Sequence, residues 1–324
     1  MKRKIVIESC CIFLFAIMMV VGGFGSALAG YPDKPITYII PFNPGGISDV
    51  TARLQQIELE KILGVKVNVV HKPGGGGAVG WAEFQRTAKP DGYTIIGVNI
   101  PHIIAQPLQR KDAGYTTHGF EPIIWFHRTP VTLIVQKEGN IKTLADFIQL
   151  AKSKPGAVTV GGSGSYSATH LELLRFAKQT GIQVTYVPNT GTGPLIPALM
   201  GGHFTSIMDY SMVSIQYKEK FQTLAVSTAE RLATMPDVPT FKELGYDIVG
   251  GAYRGIAVPK GTPPEITKTL TDAFVKTNDI IADKQREMGF EVTNLTGQQA
   301  EDLLNQMETN YTQIILELEK TKKK

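Results

Sequence analysis

The chain has 324 residues, of which 43% are hydrophobic and 19% are charged, and its formal net charge is +4. The charges are scattered along the chain, which argues against a nucleic-acid-binding protein, because such proteins concentrate basic residues on one face. A chain of this length can build a large core, and two lobes are expected rather than one.

The N-terminus has the pattern of a secretory signal peptide. "MKRK" is basic, the run from Cys10 to Phe24 is apolar, and "ALA" at 27–29 has the small residues of a cleavage site. The alternative is an anchor helix that stays in the membrane, but such a helix needs about 20 apolar residues. We therefore expect cleavage after Ala29 and a protein that works in the periplasm. Both cysteines, Cys10 and Cys11, lie in the removed segment, so disulfides are not expected.

From Tyr31 the chain alternates short β-rich runs with helical runs, which is typical of βαβ units around a mostly parallel sheet. The first set comprises strands at 36–40, 65–70 and 93–99, with helices at 49–63 and 79–87. The second set comprises strands at 131–136, 157–162 and 182–187, with helices at 143–152, 168–180 and 194–200. We interpret the two sets as two similar lobes.

The C-terminal third is predicted to return to the first lobe. A strand at 223–228 precedes a Pro-rich connector, and "YRGIAVPKGTPPE" indicates a strand, a turn and the start of a helix. The last helix carries an apolar stripe spaced by threes and fours, formed by Ala300, Leu303, Leu304, Met307, Tyr311, Ile314, Ile315 and Leu318. The predicted lobes are therefore 30–128 with 249–324, and 129–248, with crossings near 125–130 and 246–252.

Four glycine-containing loops lie between a predicted strand and a predicted helix, at 42–49, 71–81, 161–170 and 188–195. Ligands of open α/β sheets bind at the carboxyl ends of the strands, so these loops, two from each lobe, are expected to face one cleft. Backbone N–H groups, hydroxyls and amides there suit carboxylate oxygens without the burial of an unpaired cation. Taken alone, the first loop fits two interpretations equally well: a loop that binds an anion, or a tight turn followed by a normal helix cap from Ser48 or Asp49.

Enzymatic functions are less well supported. Gly75, Gly77 and Gly80 fit a dinucleotide fingerprint, but the acidic partner expected about twenty residues later is missing. The six histidines form no metal-binding motif. We expect no catalysis, no cofactor and no metal. A secreted hydrolase of carboxylate esters or amides, using Ser163 or Ser165 with His170, remains the second hypothesis.

Several segments together resemble the substrate-binding proteins of tripartite tricarboxylate transporters, the Bug-type receptors. They span nearly the whole chain after residue 30, in order: "YPDKPITYIIPFNPGGISDVTAR", "HKPGGGGAVG", "AKPDGYTI", "SKPGAVTVGGSGS", "VPNTGTGPLIPALMGG" and "AERLATMPDVPTFKELGY". The resemblance implies an α/β bilobal periplasmic-binding-protein fold, type II-like, with two crossover strands and a central ligand cleft. It also implies a monomer that closes on a small organic carboxylate and delivers it to membrane permease subunits. A ligand sensor for a membrane signalling protein would use the same cleft.

The loops and the resemblance together supply the candidate ligand-binding residues. In the first lobe these are Phe42, Asn43, Gly45, Gly46, Ser48, Asp49 and Asn99. In the second lobe they are Ser163, Gly164, Ser165, Tyr166, Asn189, Thr190, Gly191 and Asp209.

The chain departs from the family pattern at three of the cleft loops. Asn189 and Thr190 replace a common Tyr followed by Lys or Arg, Tyr166 replaces a frequent glycine, and His71 replaces a frequent asparagine. A bulkier and less cationic pocket is expected from these changes. The hypothesis is a ligand with one or two carboxylates and an apolar or aromatic body, rather than a tricarboxylate.

Overall fold

The computed structural model describes residues 30–110 and 112–322, and the predicted signal peptide lies outside them. Two mixed α/β sheets organise the described chain. The first sheet has the spatial order β11 (Glu291–Leu295), β4 (Phe120–Thr129), β10 (Ala252–Pro259), β3 (Thr94–Ile100), β1 (Ile36–Ile40) and β2 (Val67–His71). The second has the order β7 (Thr185–Pro188), β6 (Thr159–Gly162), β8 (Ser206–Tyr210), β5 (Val131–Gln136) and β9 (Phe221–Val226).

Helices cover both sheets. They are α1 (Ile47–Leu63), α2 (Ala78–Thr87), α3 (His102–Gln109), α4 (Leu144–Ser153), α5 (Ala168–Thr180), α6 (Leu195–Met200), α7 (Ser211–Gln216), α8 (Pro264–Glu287) and α9 (Gly297–Lys322), with short 3-10 turns at Gly75–Gly77 and Thr117–Gly119. Within the described ranges, no helix has both the length and the apolar character needed to cross a bilayer.

The strand directions differ from the mostly parallel sheet that the βαβ pattern predicted. β1 runs parallel to β2 and β3, but β10 runs antiparallel to both β3 and β4. In the second sheet, β5 is antiparallel to both of its neighbours, β8 and β9. The antiparallel pairs arise because strands that enter from the other sheet are inserted beside the βαβ units. Local alternation of strands and helices carries no information about such long-range insertions.

The chain crosses between the sheets at two adjacent places. Thr129 is the last residue of β4, and Val131 is the first residue of β5. Ser227, directly after β9, accepts a hydrogen bond on Oγ from Val131 N at 2.8 Å and donates from the same oxygen to Gly250 O at 3.1 Å. One side chain therefore ties the two crossings together.

Each sheet has its own hydrophobic core. Trp81 and Trp125 are fully buried in the core of the first sheet, and their indole N–H groups donate to Gly97 O at 2.9 Å and Ala300 O at 3.1 Å. The predicted stripe of α9 packs on this core, with Leu304 and Ile315 among its buried members. A separate cluster, including Phe147 and Phe176, fills the second sheet. The C-terminal helix thus packs on the core of the first sheet.

Candidate functional site: a cleft between the two sheets

A narrow cleft lies where the carboxyl ends of strands from both sheets meet. Its volume is about 10 Å³, close to the space of one water molecule. The residues that line it are Phe42, Gly46, Ile47, Ser48, Asn99, His102, Ser163, Gly191, Thr192, Tyr210 and Arg254. Residues of both sheets therefore line one cleft at the strand ends, where open α/β sheets bind their ligands.

Arg254 brings a positive charge into this cleft. Its residue is only 4% exposed, and it lies opposite Asn99 in the antiparallel pairing of β10 with β3. Nη1 donates to Ser48 Oγ at 2.9 Å and, in the amide orientation that satisfies both ends of Asn99, to Asn99 Oδ1 at 2.6 Å. The guanidinium carbon is 4.9 Å from the centre of the Tyr210 ring. Burial lowers the pKa of Arg254, but an arginine stays protonated in proteins, so the cation is present in the cleft.

Two features of Arg254 suit it to bind an anion. Its Nε is buried and has no hydrogen-bond partner in the protein. Its Nη1 is held in place by neutral groups, Ser48 and Asn99, which orient the guanidinium without neutralising it. A planar guanidinium that is positioned in this way matches the two oxygens of a carboxylate.

Asp209 is the acidic neighbour of this cation. Its side chain is fully buried, Oδ1 accepts a hydrogen bond from Tyr210 N at 2.9 Å, and Oδ2 has no partner. Burial raises the pKa of Asp209 well above its usual range, and the attraction of Arg254 only partly opposes this. The neutral acid is therefore favoured, and Asp209 does not cancel the charge of Arg254.

His102 is a neutral member of the cleft wall. Burial lowers its pKa to about 3, and the positive charge of Arg254 acts in the same direction. The imidazole packs edge-on against Phe42 and Trp81, with ring centres 5.8 and 6.2 Å apart. It contributes shape and hydrogen-bonding atoms rather than charge.

Some of the predicted binding residues contact each other across the cleft. Asn43 N donates to Thr190 O at 3.2 Å, and the Asn43 amide also donates to the Thr190 hydroxyl. Ile47 N donates to Thr192 Oγ1 at 3.1 Å. The loop after β1 and the loop after β7 therefore bind one another directly in this closed arrangement.

The first glycine loop ends differently from the expected cap. The N-cap of α1 is Gly46, without a side-chain cap, so the helix begins two residues before Asp49, and capping by Ser48 or Asp49 was wrong. Asp49 Oδ2 instead accepts from Gly45 N at 2.9 Å, and Oδ1 contacts His71 Nε2 at 2.8 Å. Partial burial opposes ionisation of Asp49, but these hydrogen bonds outweigh it and lower its pKa. Asp49 is the third residue of α1, and its carboxylate fixes the loop that precedes the helix.

The serine loop after β6 is also tied internally. Ser163 Oγ lies 3.2 Å from Thr169 Oγ1 and 3.5 Å from the Tyr210 hydroxyl. His170, the proposed partner in the hydrolase hypothesis, accepts on Nδ1 from Tyr166 N at 3.1 Å and stacks on Tyr186 with ring centres 4.1 Å apart. These contacts give His170 a packing role.

The structure thus separates the candidate residues into two groups. Those that line the cleft are Phe42, Gly46, Ser48, Asn99, Ser163 and Gly191. Those that lie outside the lining are Asn43, Gly45, Asp49, Gly164, Ser165, Tyr166, Asn189, Thr190 and Asp209. The expectation of a pocket with less positive charge overlooked Arg254. A charged residue inside the apolar run "AYRGIAVP" was the signal that could have identified it.

Known proteins that are similar to this chain identify its family. The family model "Tripartite tricarboxylate transporter family receptor", TctC, matches residues 51–319. The chain belongs to this receptor family. A relative from Cupriavidus necator, "UPF0065 protein in gbd 5'region", is 35% identical over 251 residues, which are 77% of this chain and 76% of the relative.

Solved structures of Bug-type and TctC-type proteins share the fold of this receptor. The periplasmic binding protein BugD matches with a TM-score of 0.84 at 26% identity, over 89% of this chain and 98% of BugD. MatC from Rhodopseudomonas palustris, solved with bound malate, matches with a TM-score of 0.81 at 26% identity, over 88% of this chain and all of MatC (100%). The receptor is therefore a member of a periplasmic binding-protein family, which is not enzymatic. Among the described residues, no group of three or more His, Cys, Asp or Glu side chains is placed to hold a metal ion.

Proposed function

We propose that this receptor binds a small organic carboxylate between its two lobes and delivers it to the membrane subunits of a tripartite carrier. The observation that carries the proposal is the buried guanidinium of Arg254 inside the cleft, with an unpartnered Nε. A buried cation favours an anionic partner, because an uncompensated buried charge is costly. The bound malate of MatC supports a carboxylate as the anion in this family.

The proposed lobes are residues 30–128 with 249–324, and residues 129–248. The positions of the two sheets support these bounds, since the chain passes from the first sheet to the second between Thr129 and Val131 and returns before Ala252. A cleft of about 10 Å³ has no room for an organic acid, so ligand entry requires the lobes to separate about the two crossings that Ser227 ties together. A ligand favours reclosure only if it contacts both lobes better in the closed form. Arg254 in the first lobe and Tyr210 in the second provide such contacts.

We further propose export by the N-terminal signal peptide, with cleavage after Ala29, and function as a periplasmic monomer without a cofactor. The basic and apolar pattern of residues 1–29 and the periplasmic relatives support this assignment.

The test is a thermal-shift screen of residues 30–324 against mono-, di- and tricarboxylates, aromatic acids and amino acids. A ligand at about 100 times its dissociation constant should raise the free energy of unfolding by about 2.7 kcal/mol. A shift confined to carboxylates is expected. If no carboxylate shifts the unfolding temperature while a neutral compound does, the proposal is wrong.

A further inference from the structure

The cleft contains a single charged group. Of the described residues that line it, Arg254 is the one that is ionised, since His102 is neutral and the others have uncharged side chains. The other polar side chains of the lining are neutral: the hydroxyls of Ser48, Ser163, Thr192 and Tyr210 and the amide of Asn99. Hydroxyls can donate to a carboxylate, but they do not balance its charge.

Three basic side chains near the cleft contact carboxylates. Arg53 Nε and His71 Nε2 both contact Asp49 Oδ1, at 3.3 and 2.8 Å. Arg128, at the first crossing, forms a two-pronged ion pair with Glu291. A ligand would have to compete with these carboxylates, so none of the three supplies a second free positive charge.

The remaining wall of the cleft is apolar. Phe42 and Ile47 face it from the first loop, and Phe42 is itself fixed by edge-on packing against Trp81, with ring centres 5.8 Å apart. A second ionised carboxylate bound against this lining would meet rings, hydroxyls, amides and backbone N–H groups, with no second cation to balance its charge. Burial of an unpaired charge is strongly unfavourable. An uncharged aliphatic body would be buried favourably in the same place.

We infer that Arg254 makes this receptor selective for monocarboxylates over dicarboxylates of the same length. The guanidinium binds the one carboxylate, Ser48 and Asn99 hold the guanidinium, and the apolar wall receives the uncharged end of the ligand. The inference rests on the proposed function, because it names the ligand class of the same cleft. It also separates this receptor from MatC, whose structure contains a dicarboxylate.

The test uses acids that differ only in the second carboxylate. Binding of pentanoate and glutarate, and of hexanoate and adipate, is measured by isothermal titration calorimetry at pH 7 on residues 30–324. Methyl pentanoate, which has no charge, is the control for the first carboxylate. We expect each monocarboxylate to bind at least about 10-fold more tightly than its matched dicarboxylate, and the ester to bind more weakly than pentanoate. Equal or tighter binding of the dicarboxylates overturns the inference.

Variants then locate the selectivity. Arg254→Gln should weaken pentanoate binding by about 10- to 100-fold, the usual effect of losing a charge-assisted hydrogen bond, and Arg254→Lys should restore part of it. The control is Arg231→Gln, which removes an arginine that pairs with Glu243 outside the cleft and should change the affinity less than about twofold. Unchanged binding by a folded Arg254→Gln variant overturns the inference. If that variant does not fold, the matched acids decide, since they use the unmodified protein.

The outcomes distinguish this inference from the proposed function. If dicarboxylates bind more tightly than monocarboxylates, the receptor still binds carboxylates, and only the selectivity is wrong. If no carboxylate binds while a compound without a carboxylate does, both proposals fail.

Discussion

The His127→Gln variant should gain about 3 kcal/mol of stability relative to the unmodified protein when the pH is lowered from 7 to 4. His127 is fully buried, its Nδ1 bonds to Gln285 Oε1, and its Nε2 has no partner. Burial lowers its pKa to about 3, with a smaller contribution from Arg254. The unfolded chain binds a proton at this histidine below pH about 6.5, whereas the folded chain does not. Stability is therefore complete above pH 6.5 and is lost as the pH falls towards 3, but glutamine has no proton to bind.

Urea unfolding of both proteins at several pH values measures this difference. The quantity to compare is the free energy of unfolding of the variant minus that of the unmodified protein. This difference should change by about 1.4 kcal/mol per pH unit between pH 6 and 4. Asp209→Asn is the comparison with the opposite sign, because burial raises the pKa of Asp209, and the unmodified protein loses stability as the pH rises. If the difference in stability between each variant and the unmodified protein did not change with pH, neither buried group would keep its neutral form in the folded protein.

The local elements of this fold follow from the sequence to a large extent. The predicted strand at 131–136 and helix at 168–180 match β5 and α5 residue for residue. β4 was not predicted, since Pro122, His127 and Arg128 interrupt its apolar pattern, and its pairing with β10 contains register shifts. Such a strand is stabilised by neighbours distant in sequence, which local periodicity does not reveal.

The residues of the candidate site could also be predicted only in part from local sequence patterns. Loops at strand ends were predicted from glycines and short polar residues, and several of them do line the cleft. Arg254 escaped prediction because it reaches the cleft from the return strand, through pairing with Asn99 more than 150 positions earlier in the chain. Asn43 and Thr190 were predicted to meet a ligand, whereas here they meet each other. Residue types at a cleft rim do not reveal whether they bind a ligand or the opposite lobe.

Gly46→Ala and Gly193→Ala should each weaken ligand binding by about 10-fold or more, with little effect on the stability of the ligand-free protein. Gly46 has an extended backbone, φ −84° and ψ 173°, which alanine adopts without strain. A Cβ at Gly46 would lie 2.7 Å from Thr192 Oγ1, and a Cβ at Gly193 would lie 2.7 Å from Pro44 O. Both clashes join opposite lobes, so they exist only when the cleft is closed.

Calorimetry gives the affinity of these variants for the carboxylate found in the thermal screen, and small-angle X-ray scattering compares their dimensions with and without it. The control is Gly30→Ala, whose added Cβ would meet nothing within 4 Å. The double variant should lose less affinity than the sum of the two single losses, because both methyl groups disturb one contact between the same loops. Unchanged affinity in both single variants would mean that the lobes bind ligand without bringing these loops together. A loss of affinity in both variants, with the dimensions of the ligand-free protein unchanged, would show instead that Gly46 and Gly193 allow the two lobes to approach, while Arg254 serves the ligand.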